Sequence, residues 1–240
     1  MVQFVSIEEA VALVKKGARL GTSGFIGPSA PIKLIKALAD AGTNELTLIQ
    51  PVTSFPGATH DIDWLAENNQ IAKGILSHTG TSKQVSGQFL AGDLEVEYTP
   101  MGTIIECLHA AGAGLGGVLT PTGVGTTQEE NHKKVEINGK EYLFYEPLPL
   151  DVAFVKASKA DKFGNLVCQG TEKFLTKEMA LAADIVIAEV SEIVETGDID
   201  PDDVFVPGVL VDYVVQGMTP EENTKYYTEL WGNAKMLREG

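Results

Sequence analysis

Gly112-Ala113-Gly114-Leu115-Gly116-Gly117 satisfies G-x-G-x-x-G letter for letter, and residues 111–126 hold six glycines in sixteen positions. The chemistry this suggests is a phosphate-cradling dinucleotide turn. Such a turn needs a strand, then the glycines, then a helix, all at the start of a βαβ unit. Here the glycines follow a helical pattern and lead into "VLTPTGVGT", where Pro121 and further glycines oppose a helix. No acidic residue ends a second strand about 20 positions on; Glu136 opens a hairpin instead. These glycines therefore read as a loop of another kind, supplying close backbone approach and positive φ.

A second glycine segment, Ser23–Ser29, lies between a strand and a helix start. Free N–H groups at a helix N-terminus form a natural anion site, and the plainer alternative is a tight strand-to-helix connection. Other chemistry has weaker support. Ser23 has Gly21 before it but Phe25 after it, so no nucleophile elbow of the form G-x-S-x-G occurs. His60, His78, His109 and His132 lack metal-ligand spacing and read as surface or packed residues. Lys156, Lys159 and Lys162 recur at every third position and read as a solvated face, with phosphate contact as the alternative. Cys107 and Cys168 stand apart from any C-x-x-C pair and read as reduced, partly buried thiols. No metal site is expected.

The elements that must position these residues alternate. Ser6-Ile7-Glu8-Glu9 is a capping box, with Gly17 as a stop for the helix it starts. "ARLGT" reads as a strand, and Pro31 opens a helix that stops at Gly42. "ELTLIQ", "IAKGILS" and "LEVEYTP" read as strands separated by the helices "DIDWLAENN" and "SKQVSGQFLAG". "GTIIECLHAAGAG" spaces Ile104, Ile105, Leu108 and Ala111 helically. After the glycine loop, Asn138-Gly139 between alternating apolar residues marks a hairpin. "DVAFVKA", "NLVCQG" and "DIVIAEV" then read as strands, with the helix "TKEMALAA" before the last. The pattern predicts an α/β fold over 1–240 as one domain: a mostly parallel sheet, packed helices and an inserted β-hairpin.

The 240 residues carry 33 Asp and Glu against 18 Lys and Arg, a formal charge of −15. That field repels a phosphate backbone, so nucleic acid is not an expected partner. No apolar run approaches the roughly 20 residues of a membrane span, and "MVQFVSIEEA" lacks the layout of a secretory signal. A cytoplasmic protein without a membrane partner is the expectation.

Four segments, "GTSGFIGPSAP", "LTPTGVGTTQEE", "ADKFGNLV" and "IAEVSEIVETGDIDPDDVFVPGVLVD", resemble the family I (3-oxoacid) CoA-transferases in the same order, over roughly residues 5–215. The chain is similar to their α subunits, including those acting on acetate, butyrate and acetoacetate. The resemblance implies transfer of CoA from a short-chain acyl-CoA to a free carboxylate by a ping-pong route through a glutamyl-CoA thioester. It implies that the glutamate lies on a β subunit, so no catalytic nucleophile is expected in this chain. It also implies an α₂β₂ or higher hetero-oligomer, and coenzyme A as substrate, not as a permanently bound cofactor. The family's CoA-contacting signature corresponds to Ser23, Gly24, Phe25, Ile26, Gly27, Pro28 and Ser29. Ser23 and Ser29 replace glycines of that signature, and Pro28 removes an N–H donor. On the acyl side the resemblance points to Gln50, Met101 and Gly102. Relatives often carry Asn where Gln50, Pro51 and Val52 stand, and Gln where Met101 stands. Met101 implies an acyl group less polar than acetoacetate, or else a core position. Two other functions stay open at this point: one half of an acyl-CoA hydrolase, and a sugar-phosphate-binding module of related fold.

Overall fold

The computed structural model describes residues 2–27 and 29–237. Its first half alternates strand and helix: β1 (Gln3–Phe4), α1 (Ile7–Val11), β2 (Arg19–Thr22), α2 (Ile32–Ala41), β3 (Leu46–Ile49), α3 (Ile62–Glu67), β4 (Ile71–Leu76), α4 (Lys83–Ala91), β5 (Glu95–Tyr98) and α5 (Met101–Gly112). The second half holds β6 (Val118–Thr120), β7 (Lys133–Ile137), β8 (Lys140–Tyr145), β9 (Leu150–Asp161), β10 (Leu166–Val167), α6 (Thr176–Ala182), β11 (Ala183–Val194), β12 (Tyr213–Gln216) and α7 (Pro220–Asn233).

Local signals explain most of these boundaries. Ser6 and Glu9 form the reciprocal capping box that starts α1. The helix ends at Val11, however, and Gly17 (φ 80°) instead turns the chain into β2. Gly42 ends α2 in the left-handed region at φ 73°, and Gly92 ends α4 at φ 81°. Asn138 and Gly139 both have positive φ, 52° and 74°, as a two-residue hairpin turn between β7 and β8 requires.

The main sheet runs β1-β12-β11-β9-β2-β3-β4-β5, parallel throughout, with β10 added antiparallel to β9. Its central strands are buried on both faces, as crossover helices demand. Val152 and Phe154 of β9 join Leu34 and Leu38 of α2 on one face. Ala153 and Val155 join Leu108 of α5 and Met179 of α6 on the other. The inserted hairpin is larger than expected: β6 pairs with β8, giving a three-stranded antiparallel sheet in the order β6-β8-β7. Gly117 permits this, since a Cβ there would fall 2.4 Å from the Phe144 ring.

The order of strands sets the position of the site. From β2 the chain winds outward through β3, β4 and β5; from β9 it winds the opposite way through β11 and β12. β2 and β9 are neighbours, so the winding reverses between them. A crevice outside the carboxyl ends at such a reversal is where open α/β sheets bind ligands. The loop that leaves the carboxyl end of β2 is Ser23–Ser29.

Candidate functional site

Ser23 is fixed at both ends of its own residue: its N–H donates to Phe154 O at 2.9 Å, and its Oγ accepts from Lys156 N at 2.9 Å. The serine standing in place of a glycine thus ties the loop to β9. Gly24 (φ 114°) passes so close to the far side of the loop that a Cβ would sit 2.6 Å from Ser29 O. Ser29, the other replaced glycine, turns its hydroxyl inward and accepts the Phe25 N–H at 2.9 Å. Phe25 itself is 36% exposed and packs edge-on against Phe174. Ile26 has φ 50°, a conformation that costs a β-branched residue on the order of 1–3 kcal/mol, and Gly27 follows at φ 91°. Among the described residues the N–H groups of Ile26 and Gly27 have no acceptor. Pro28, also assigned to this loop, lies outside the described residues.

The far wall of the loop comes from the C-terminal helix. Thr219 and Glu222 form the capping box that starts α7. Two turns on, buried Tyr227 donates its hydroxyl to Gly27 O at 2.6 Å. Tyr226, Tyr227, Phe55 and Trp64 surround His60, which is fully buried with its Nε2 unpartnered. His60 is a packed residue, one of the two fates read from its sequence. Asp63 lies in the same layer, accepts the Ser82 hydroxyl, and is pushed up to about 7 by burial.

One donor of the anion site expected at the start of α2 is already taken: the Glu189 carboxylate accepts the Leu34 N–H at 3.1 Å, one of the donors a ligand phosphate would use. Lys156, read from sequence as part of a solvated face, is 2% exposed and pairs with Glu189 at 3.3 Å. Lys159 faces the other way and pairs in solvent with Glu192 at 2.9 Å. The triplet spacing concealed this, because alternate residues of a strand point to opposite faces.

Gln50 belongs to the same crevice. Its Oε1 accepts the Thr22 hydroxyl at 2.5 Å, which joins the ends of β3 and β2. Beyond it a polar ridge that the sequence reading missed crosses the carboxyl ends of the next strands. Pro51 O accepts Ser77 N at 3.1 Å, Ser77 Oγ meets His78 at 3.1 Å, and Thr53 meets Thr81 at 2.7 Å. Clustered Thr, Ser and His just after β3 and β4 were its only sequence signal.

Met101 and Gly102 begin α5, just past the carboxyl end of β5, and are half-buried and exposed. Met101 belongs to none of the three hydrophobic clusters. β5 stands three strands from β2, which at the usual spacing is roughly 14 Å. The structure thus joins Gln50 to the loop and sets Met101 and Gly102 at the far end of the ridge.

Two further features lie elsewhere. A cleft of about 520 Å³ separates the small sheet from the main one, lined by Arg19, Lys73, Glu97, Thr99, His132 and Tyr145 among others, and holds none of the residues assigned above. Cys107 and Cys168 are buried, free thiols, pushed up by burial to about 11 and about 12, so neither is a thiolate at neutral pH. Among the described residues no three His, Cys, Asp or Glu side chains gather for a metal. No helix of the described residues is long and apolar enough to cross a membrane.

The coenzyme A transferase family matches residues 4–217. The chain is 37% identical over 213 residues to the alpha subunit of the acetate CoA-transferase of Escherichia coli K12, covering 89% of this chain and 96% of that one. It is 38% identical over 214 residues to the alpha subunit of the acetoacetyl-CoA:acetate/butyrate CoA transferase of Clostridium acetobutylicum, covering 89% and 97%. An acyl-CoA transferase of Escherichia coli O157:H7 superposes with a TM-score of 0.85 at 27% identity, over 92% of this chain. The chain spans about half of that longer protein, 47%. Glutaconate coenzyme A-transferase of Acidaminococcus fermentans shares the fold, with a TM-score of 0.81 at 22% identity over 90% of this chain and 75% of that one. The family match over most of the chain and these relatives show that the chain belongs to the coenzyme A transferase family.

Proposed function

We propose that this chain is the α subunit of a CoA-transferase that moves CoA between a short-chain acyl-CoA and a free carboxylate of the acetate, butyrate or acetoacetate class. The observation that carries this is the Ser23–Ser29 loop, which among the described residues keeps two N–H groups without an acceptor at the sheet's reversal point, while Glu189 caps the helix that follows. Such donors suit a carbonyl oxygen that gains charge, as the thioester oxygen does under attack. A sugar phosphate would instead use the N-terminus of α2, where the Glu189 carboxylate repels it.

In this reading a glutamate on the partner β chain attacks the acyl-CoA thioester carbonyl. The C–S bond breaks, giving an acyl-glutamyl anhydride and CoA thiolate. The thiolate then attacks the glutamyl carbonyl, releasing the first carboxylate and leaving a glutamyl-CoA thioester. An incoming carboxylate opens that thioester to a new anhydride, and the thiolate takes the new acyl group, restoring the glutamate. Covalent catalysis of this kind divides one exchange into steps between activated species of similar energy. This chain supplies the wall holding CoA and helps exclude water, which would turn transfer into hydrolysis. Its own buried Glu189 is committed to Leu34 and Lys156. An α₂β₂ or larger assembly, with CoA bound as substrate, completes the proposal.

Exchange of labelled acetate into acetyl-CoA, with butyryl-CoA as donor, tests it. Exchange is expected only when the chain is mixed with its β partner. Exchange by the chain alone, or release of free CoA at the same rate without a carboxylate acceptor, contradicts transfer at an interface between subunits. Met101 tunes the acyl preference in this reading. Met101→Gln is expected to shift the acetoacetate-to-butyrate rate ratio upward, because a keto oxygen gains a donor; an unchanged ratio removes Met101 from the acyl site.

A further inference from the structure

Two charges lie beneath the loop, and the transfer chemistry does not use them. Lys156 on β9 and Glu189 on β11 stand opposite each other in the parallel register. They are 2% and 0% exposed, with Nζ and Oε1 3.3 Å apart. An isolated buried pair is often no better for stability than two apolar residues of similar size. What this pair touches sets it apart. Glu189 Oε2 accepts the N–H of Leu34, in the first turn of the helix that ends the loop, at 3.1 Å. The main-chain N–H of Lys156 donates to Ser23 Oγ, at the residue that begins the loop, at 2.9 Å. Gly217 lies flat against both: a Cβ there would fall 2.8 Å from Glu189 Cγ and 3.1 Å from Lys156 Nζ. The chain after β12 thus seals the pair from solvent, and Lys33 Nζ reaches across to Gly217 O at 3.3 Å.

We infer that Glu189, held by Lys156, is a positioning residue for the CoA loop. As a resident cap it fixes the start of α2 while β9 fixes Ser23, so both ends of the Ser23–Ser29 turn are pinned to neighbouring strands. The Ile26 and Gly27 N–H groups between those ends are thereby set before substrate arrives. The inference rests on the reading of this loop as the CoA wall.

Glu189→Leu alone strands the Lys156 ammonium and is expected to unfold the chain, so paired variants are the test. Lys156→Met with Glu189→Gln removes both charges and keeps an acceptor for Leu34. Lys156→Met with Glu189→Leu removes both charges and the acceptor. Hydrogen–deuterium exchange of peptides spanning residues 20–31 reads the loop directly, and steady-state transfer with the β partner reads its consequence. The Met/Gln pair is expected to match the unaltered chain in loop exchange and in KM for acyl-CoA. The Met/Leu pair is expected to stay folded with a Tm only a few degrees lower, to exchange roughly tenfold faster in the loop, and to raise KM for acyl-CoA by about the same factor with kcat less affected, as loss of one cap predicts. Equal loop exchange in the two pairs overturns the inference, as does a loosened loop with unchanged KM. If the unaltered chain and its partner transfer no CoA, the functional reading falls, and the exchange comparison still decides the role of Glu189 in the loop.

Discussion

Two concave regions of this molecule are built on opposite principles. The cleft between the small and main sheets encloses about 520 Å³, and Lys73 in its wall meets Glu95 and Glu97 at the surface, each at 2.9 Å. The loop of the crevice after β2 is held by buried groups on four elements: Phe154 and Lys156 of β9, Glu189 of β11, Gln50 after β3 and Tyr227 of α7. Binding energy is realised where donors are fixed in advance, because disordered groups lose freedom when a ligand arrives. The loop after β2 is the better supported of the two.

Substitutions can break that contrast. The largest effect is expected from Gly24→Ala, which places a Cβ 2.6 Å from Ser29 O at φ 114°. The loop must reshape, and transfer with the β partner should fall at least about 100-fold, the kinetic equivalent of roughly 3 kcal/mol. Retained activity would show the loop to be more plastic than its contacts indicate.

Next comes the layer beneath the loop, where Asp63 sharpens the comparison through pH. Burial raises its carboxyl from 3.8 to about 7. The folded state therefore keeps a proton that the unfolded chain loses first, so stability falls as pH rises from about 4 to about 7. The thermal midpoint should drop across that window and level off above it. Asp63→Asn should flatten that slope, measured by thermal unfolding from pH 4.5 to 8.

Tyr227→Phe is a gentler change. Gly27 O keeps its bond from Ala30 N, so the loss should be near 1 kcal/mol of stability. A rise of a few-fold in KM for acyl-CoA should accompany it. The smallest effect is expected in the other region. Lys73→Met removes a partly exposed pair of ion contacts and should change stability by less than about 1 kcal/mol, with CoA transfer unaltered. A large loss of transfer there would move the site to the cleft.

What was legible in the sequence follows the range of the signals. The capping box at Ser6, the Pro31-to-Gly42 span of α2 and the Asn138-Gly139 hairpin are set by neighbours a few residues apart, and all appear in the structure. So does the loop after β2, because strand, glycines and helix are adjacent in the chain. The supports of the loop were not legible. Lys156 and Glu189 lie 33 residues apart, and only the register between β9 and β11 brings them together. Lys156, Lys159 and Lys162 show one spacing and two fates, since burial depends on which face the sheet covers. β9 also runs on to Asp161, past the segment read as its strand, because Leu166 and Val167 return to pair with it. Tyr227 reaches Gly27 across 200 residues, a contact no local pattern announces.

The most direct test of the half-site assignment weighs the two subunits after reaction. The chain and its β partner would be incubated with butyryl-CoA in the absence of an acceptor, and intact masses read by mass spectrometry. The expected result is an increment equal to CoA, less one water, on the β chain alone, while this chain keeps its unmodified mass. A CoA-sized increment on this chain would place the nucleophile among its own carboxylates and contradict its assignment as the supporting wall.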